Sequence, residues 1–333
     1  MKIEHYKPED TDGYESFLRR NYQGQRGAEY AIHDSLTAYR YVLTEPSISF
    51  FPIRVVSDEG MVGHIALIKD VRLPKTEAFF GFMDFPESKE IFELLWGALL
   101  EKARNERIET LKGPIQGSIW HSYRCVSYSD GTPYVTSEPL SKEYYHHLLL
   151  GKLPQEEIQY LSALRKAFSF LIPILGPGTQ IQLMTQGVRI EEVTHVSEDI
   201  AQALYEISLE AFSNSFAYTP LSPTAFLELY AKQKLSTYMN SLYLLYKGKT
   251  IVGFLSTGRE DEKTLICKTI ALKPSYQGKG LGRALAYRLH KDALARRYKT
   301  IIYALIRKGN GVHKFPTEDL TIFREYSAFT FRL

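Results

Sequence analysis

Thr264–Ala286 reads TLICKTIALKPSYQGKGLGRALA, and its reading decides the fold. Leu265 to Leu272 has the β-branched and apolar character of a strand. Lys273-Pro274-Ser275-Tyr276 ends that run. Gln277-Gly278-Lys279-Gly280-Leu281-Gly282 then opens onto Arg283 and a long helical pattern. A strand, a glycine-rich turn and a helix start together suit a phosphate. Glycines let the backbone come close to a ligand, and the first N–H groups of a helix have no intrahelical partner. The helix dipole adds about half a positive charge at the same place. The alternative is a glycine-rich helix start that holds nothing. Gly278, Gly280 and Gly282 would then weaken the element by about 0.5–1 kcal/mol each against alanine, for no gain.

The glycine spacing selects among phosphate ligands. A dinucleotide fingerprint, G-x-G-x-x-G, fails because Arg283 stands where the third glycine belongs. The P-loop string G-x-x-x-x-G-K-[ST] does not occur. What is present is Q-x-x-G-x-G, from Gln277 through Gly280 to Gly282, a few residues after a strand. This resembles the coenzyme A pyrophosphate loop of the GNAT superfamily of acyl-CoA N-acyltransferases. The resemblance covers residues 188–333 by motif and the first half by element order alone.

The resemblance implies a site. The strand before the loop splays from its neighbour, and Ile270, Ala271 and Leu272 meet the pantetheine arm like an added strand. The pyrophosphate meets Gln277, Gly278, Lys279, Gly280, Leu281, Gly282 and Arg283. Lys279 and Arg283 add charge there or stay solvated. Asn310, after the strand Thr300–Ile306, stands where the family tends to carry a coenzyme-side Asn. Seven residues later the expected Tyr is Thr317, and Pro316 disfavours a regular helix. His313 and Tyr326 are the nearest titratable replacements. The family's carboxylate base is also missing, since Ile266, Cys267, Lys268 and Thr269 occupy its strand. Glu260, Asp261 and Glu262, in the preceding turn, would act through water. Phe216, Tyr218 and Lys268 are candidates for the acceptor pocket, with core packing the alternative for the two aromatics.

Around this stretch, the second half opens with a strand at Val188–Val193 and a helix at Asp199–Phe212. A loop with Phe216, Tyr218, Pro220 and Pro223 leads to a helix beginning at Thr224. Ser241–Tyr246 and Thr250–Thr257 then form a hairpin around Lys247-Gly248-Lys249, followed by the strand, loop and helix already quoted. The first half repeats the order. Ser49–Val56 and Met61–Ile68 make a hairpin around Ser57-Asp58-Glu59-Gly60, Ala78–Phe85 is the third strand, and a helix follows Pro86-Glu87-Ser88. Here Met83-Asp84-Phe85-Pro86-Glu87-Ser88 replaces the glycine loop, so two carboxylates stand where phosphate would approach. The loop Gly113–Ser118 with Trp120, His121, Tyr123 and Tyr128 reads as packing or as a groove lining. Tyr144–Leu150 and Gln155–Leu171 read as helices, broken by Pro173, Gly176, Pro177 and Gly178.

The expected fold is therefore α/β (α+β): two tandem GNAT-like units, each a mixed, mostly antiparallel sheet flanked by helices. Residues 1–137 would be a degenerate unit without the coenzyme loop, 138–187 a helical connector, and 188–333 the acyl-CoA-binding catalytic domain. The length of 333 residues suits two domains. A hydrophobic share of 44% supports buried cores, and a net charge of +3 is too small to argue for nucleic acid. The two cysteines, Cys125 and Cys267, show no metal-ligand spacing, so no metal and no disulfide framework are expected. The start MKIEHYKPED lacks a secretory apolar region, and no run is long enough to span a bilayer.

By resemblance, the expected function is transfer of an acyl group from acetyl-CoA, or another acyl-CoA, to an amine of a small molecule or peptide. A non-catalytic acyl-CoA-binding or regulatory protein is the alternative, supported by the missing Tyr and carboxylate. An aminoacyl transferase using charged tRNA is disfavoured by the intact loop and small charge. The expected partners are acyl-CoA and an amine-bearing acceptor, with no nucleic acid and no membrane. A cytoplasmic monomer or homodimer is expected.

Overall fold

The structure is a computed structural model that describes residues 1–6, 11–136, 138–139, 141–166, 168–193, 195–228, 239–309 and 320–333. It divides into two compact units, Met1–Leu161 with Phe323–Leu333, and Ser162–Ile322.

In the first unit, β1 (Lys2–His5) pairs antiparallel with β2 (Ile48–Ser57), after α1 (Asp12–Asn21) and α2 (Ala28–Thr44). A two-residue turn joins β2 to β3 (Gly60–Asp70), and Gly60 takes a φ of 101° that side-chain-bearing residues avoid. β4 (Glu77–Asp84) pairs antiparallel with β3. The chain then crosses through α3 (Lys89–Asn105) to β5 (Thr110–Gly113), which lies parallel to β4. Ser88 caps α3, its hydroxyl accepting from the Ile91 N–H at 3.3 Å. Ile91, Leu95, Ala98 and Leu99, at spacings of three and four, bury one face of α3 against Ile53, Ile65, Leu67 and Phe80. Each fully buried Leu or Ile contributes about 1.5–3 kcal/mol.

The second unit repeats this plan. β8 (Val188–Val193), β9 (Met239–Lys247), β10 (Thr250–Arg259) and β11 (Thr264–Leu272) are antiparallel neighbours in that order. A helix, α8 (Leu281–Ala295), leads to β12 (Thr300–Arg307), parallel to β11. Leu281, Leu285, Leu289 and Ala293 of α8 pack on Leu265, Cys267 and Ile301. On the way come α6 (Glu198–Phe212), capped by Ser197, and the short α7 (Pro223–Leu227). Each unit is thus a mixed, mostly antiparallel sheet with helices, and the tandem arrangement expected from element order is present.

Three features differ from expectation. Residues Gln155–Leu171 were expected to form a helix, but β7 (Glu156–Arg165) occupies most of that segment. Ile158, Tyr160 and Ser162 are buried at a spacing of two, and that alternation outweighs the helical spacing of the leucines. Pro173, Gly176, Pro177 and Gly178 do not break the chain, because α5 (Leu171–Gln186) runs through them. Pro173 falls in the first turn, where its missing N–H would have no intrahelical partner. The last strand, β13 (Leu320–Arg332), does not complete the second unit from Phe323 onward. It pairs antiparallel with β5, Phe329 opposite Gly113 and Phe331 opposite Leu111, and puts both rings into the first core. It also pairs with β6 (Cys125–Ser129), which is followed by α4 (Tyr144–Leu150).

Among the described residues no helix is long and apolar enough to cross a membrane, and no cluster of three potential metal ligands occurs.

Candidate functional site

The candidate site is an opening in the sheet of the second unit. β11 pairs with β12 only from Thr264 opposite Thr300 to Cys267 opposite Tyr303. Both strands run on, β11 to Leu272 and β12 to Arg307, without further pairing to each other among the described residues. The opposite edge of β11 stays paired with β10 as far as Leu272 opposite Gly253. At the closed end, the register steps from Ser256 opposite Thr269 to Thr257 opposite Cys267, so Lys268 is the extra residue of a bulge. A bulge bends a strand and re-aims its side chains where pairing ends.

The quoted glycine loop lies at the open end. β11 ends at Leu272, whose carbonyl accepts from Gln277 Nε2 at 2.9 Å. Pro274–Tyr276 forms a single 3-10 turn. Gly278 and Gly280 take φ of 70° and 73°, and Gly280 is the N-cap of α8 with no side-chain cap. The first N–H groups of α8 therefore have no capping oxygen from that side chain, as an anion site requires. From Gln277 to Gly280 the loop is exposed.

The loop is braced from α5. The Lys279 carbonyl accepts from the side-chain amides of Gln182 and Gln186, the latter at 3.0 Å. The Arg283 guanidinium donates to the Ile174 carbonyl at 2.7 Å, so this side chain serves the helix pair as well as any phosphate. Lys279 reaches over the Tyr276 ring at 5.5 Å. A Cβ on Gly280 would lie 2.2 Å from Gln182 Nε2. Gln182 and Gln186 were not foreseen, because the prolines and glycines before them hid the helix that carries them.

Ile270 is 39% exposed on the free part of β11, Leu272 is half-buried there and Ala271 is buried. Phe216 and Tyr218 are half-buried in the segment between α6 and α7, and α6 packs on β10 and β11. Burial pushes the Tyr218 hydroxyl up to about 12. Glu260, Asp261 and Glu262 precede β11, at the end away from the loop. Asn310 and His313 lie outside the described residues. Tyr326 belongs to the first unit, has no exposed surface and neighbours the buried Arg324–Glu138 pair. Its position in the chain suggests it for the acid, and β13 buries it in the first unit. Burial pushes the Cys267 thiol up to about 12, which leaves it un-ionised at neutral pH.

The equivalent opening in the first unit is closed by its own chain. β4 and β5 pair from Glu77 opposite Thr110 to Phe79 opposite Lys112, and β4 then runs on to Asp84. The Ile115 N–H donates to the Phe80 carbonyl at 2.8 Å, so the chain after β5 lies along the edge that an arm would need. The approach is so close that a Cβ on Gly81 would sit 1.8 Å from the Ile115 carbonyl oxygen. Ile115 also bridges antiparallel to Tyr123. What remains is a cavity of about 30 Å³ beside Phe82, Gln116, Arg124 and Tyr145, room for little more than a water.

This geometry can be set beside known families. Residues 201–315 match the sequence model of the acetyltransferase (GNAT) family. Among solved structures, the chain is similar to a tandem GNAT protein from the clavulanic acid biosynthesis pathway. Identity is 12%, the TM-score 0.59, and the match covers 99% of this chain and 98% of that one. It is also similar to a GCN5-related N-acetyltransferase from Sphaerobacter thermophilus, at 11% identity and a TM-score of 0.52, over 99% and 95% of the two chains. A third, a GCN5-related N-acetyltransferase from Kribbella flavida, matches at 14% identity and a TM-score of 0.51, over 98% and 71%. At these identities the likeness is one of fold. A search of curated proteins finds no match.

Proposed function

We propose that this protein is an acyl-CoA-dependent N-acyltransferase that uses acetyl-CoA and acts on an amine of a small molecule or peptide. The observation that carries the reading is the parting of β11 from β12 beyond Cys267 and Tyr303, with a glycine loop and the N-terminus of α8 at its open end. Under this reading the backbone of Gln277 to Arg283 holds the pyrophosphate, and the edge of β11 at Ile270 to Leu272 holds the arm. The thioester then lies near the bulge at Lys268.

The amine nitrogen attacks the thioester carbonyl carbon, the C–S bond breaks, and coenzyme A leaves as the thiolate. The proton lost by the amine passes through water to solvent, and the thiolate takes one in return. Positioning supplies much of the rate, since oriented reactants reach effective molarities of about 10⁵ M or more. Backbone N–H donation to the carbonyl oxygen stabilises the tetrahedral intermediate. The buried, unpaired Cys125 and Cys267 fit a reducing compartment, and we propose the cytoplasm.

A second reading, a non-catalytic acyl-CoA-binding or regulatory protein, is favoured by one observation. No carboxylate stands at Ile266, Cys267, Lys268 or Thr269, beside the closed end of the opening. Turnover of acetyl-CoA across a panel of amines and peptides, measured beside coenzyme A affinity, separates the two. Thiol release dependent on an amine is expected. Tight binding with no turnover on any amine would favour the second reading.

A further inference from the structure

At the closed end of the opening, Tyr303 of β12 turns toward α8. Its hydroxyl lies 2.5 Å from His290 Nε2, and His290 Nδ1 lies 2.6 Å from the Ala286 carbonyl oxygen. His290 is 1% exposed and Tyr303 is half-buried. A carbonyl oxygen only accepts, so Nδ1 carries the imidazole proton and Nε2 presents a lone pair. The Tyr303 hydroxyl must then donate to His290, and its own lone pairs are left for a donor elsewhere. Burial, with the Arg165 guanidinium nearby, lowers the His290 pKa to about 4. The pair is therefore neutral at physiological pH and acts as an acceptor rather than as a base.

Two lengths put the end of a bound arm level with this hydroxyl. His290 stands nine residues after Leu281, about 14 Å along α8 from its N-terminus. Cys267 stands five residues before Leu272, about 17 Å back along β11 from the loop. A ligand with its phosphates at the loop and its arm laid along β11 thus ends level with Tyr303.

We infer that Tyr303, oriented by His290, is a positioning residue that accepts a hydrogen bond from an amide N–H near the thioester end of the acyl-CoA arm. This rests on the acyl-CoA reading above and adds to it the residue that fixes the depth of the arm. His290, behind Tyr303, sets which way the Tyr303 proton points.

The test compares acetyl-CoA with adenosine diphosphate, which has the phosphates and lacks the arm, by calorimetry on the full chain. Tyr303→Phe keeps the ring and should weaken acetyl-CoA about five- to tenfold, leaving adenosine diphosphate unchanged. His290→Leu should reproduce the loss, and His290→Gln, whose amide oxygen accepts from Tyr303, should restore most of it. Equal acetyl-CoA affinity in Tyr303→Phe and parent would overturn the inference. So would an equal loss for both ligands, which marks a structural role, or identical behaviour of the two His290 variants. If the parent binds neither ligand, the acyl-CoA reading itself fails and the inference falls with it.

Discussion

Gly280→Trp is expected to abolish measurable acetyl-CoA binding while the protein stays folded. Gly280 holds a φ of 73°, and its Cβ would meet the Gln182 amide that braces the loop. A tryptophan there costs about 1–2 kcal/mol in backbone strain alone and must push Gln182 off the Lys279 carbonyl. It also places an indole over the N–H groups at the start of α8. Hydrogen bonds to a charged group contribute about 1.5–3 kcal/mol each, so losing two of them lowers affinity about a hundredfold or more. The fold should survive, because Gly280 is exposed and the core face of α8 is made by Leu281, Leu285 and Leu289. Calorimetry beside a thermal melt checks both halves of the prediction. Parent-like affinity in a folded Gly280→Trp protein would place the ligand elsewhere.

The second large effect is on stability. Asp84, the last residue of β4, is buried among Tyr22, Tyr145 and Asn21, with Lys142 nearby. Burial raises its pKa from 3.8 to about 7, against the opposing pull of those hydrogen bonds and of Lys142. A carboxyl whose folded pKa lies above its unfolded one binds its proton more tightly in the folded state. Its contribution is therefore most favourable below the unfolded value, and it is lost as pH rises through the folded one. Between about pH 4 and pH 8 the parent should lose about 3–4 kcal/mol relative to Asp84→Asn, which keeps an acceptor oxygen and has no charge to bury. Denaturant unfolding of both proteins across that range checks this. A difference that stays constant with pH would show that Asp84 does not carry the effect.

Asp84 ends β4 as Leu272 ends β11, and the turn that follows it has no glycine run. The sequence comparison of these two turns was legible because charge and glycine content are local properties. The hairpins were legible for the same reason, from strand-forming runs flanking short polar turns. The closure of the first opening was not, since it depends on Ile115 lying beside Phe80, a contact that no periodicity encodes. Nor was the passage of Phe329 and Phe331 into the first core, which pairs residues more than two hundred positions apart. In β7 the leucines fall at helical spacings, while the burial follows Ile158, Tyr160 and Ser162. In the candidate site the loop was readable and its supports were not. Gln182, Gln186, Tyr303 and His290 come together only through packing of α5, α8 and β12.

The most direct measurement is a calorimetric titration of the full chain with acetyl-CoA. One opening keeps a glycine loop, and in the other the Ile115 N–H is bonded to the Phe80 carbonyl. One acetyl-CoA per chain is expected, lost in Gly280→Trp. Two equivalent sites per chain, or one site that Gly280→Trp leaves intact, would contradict it.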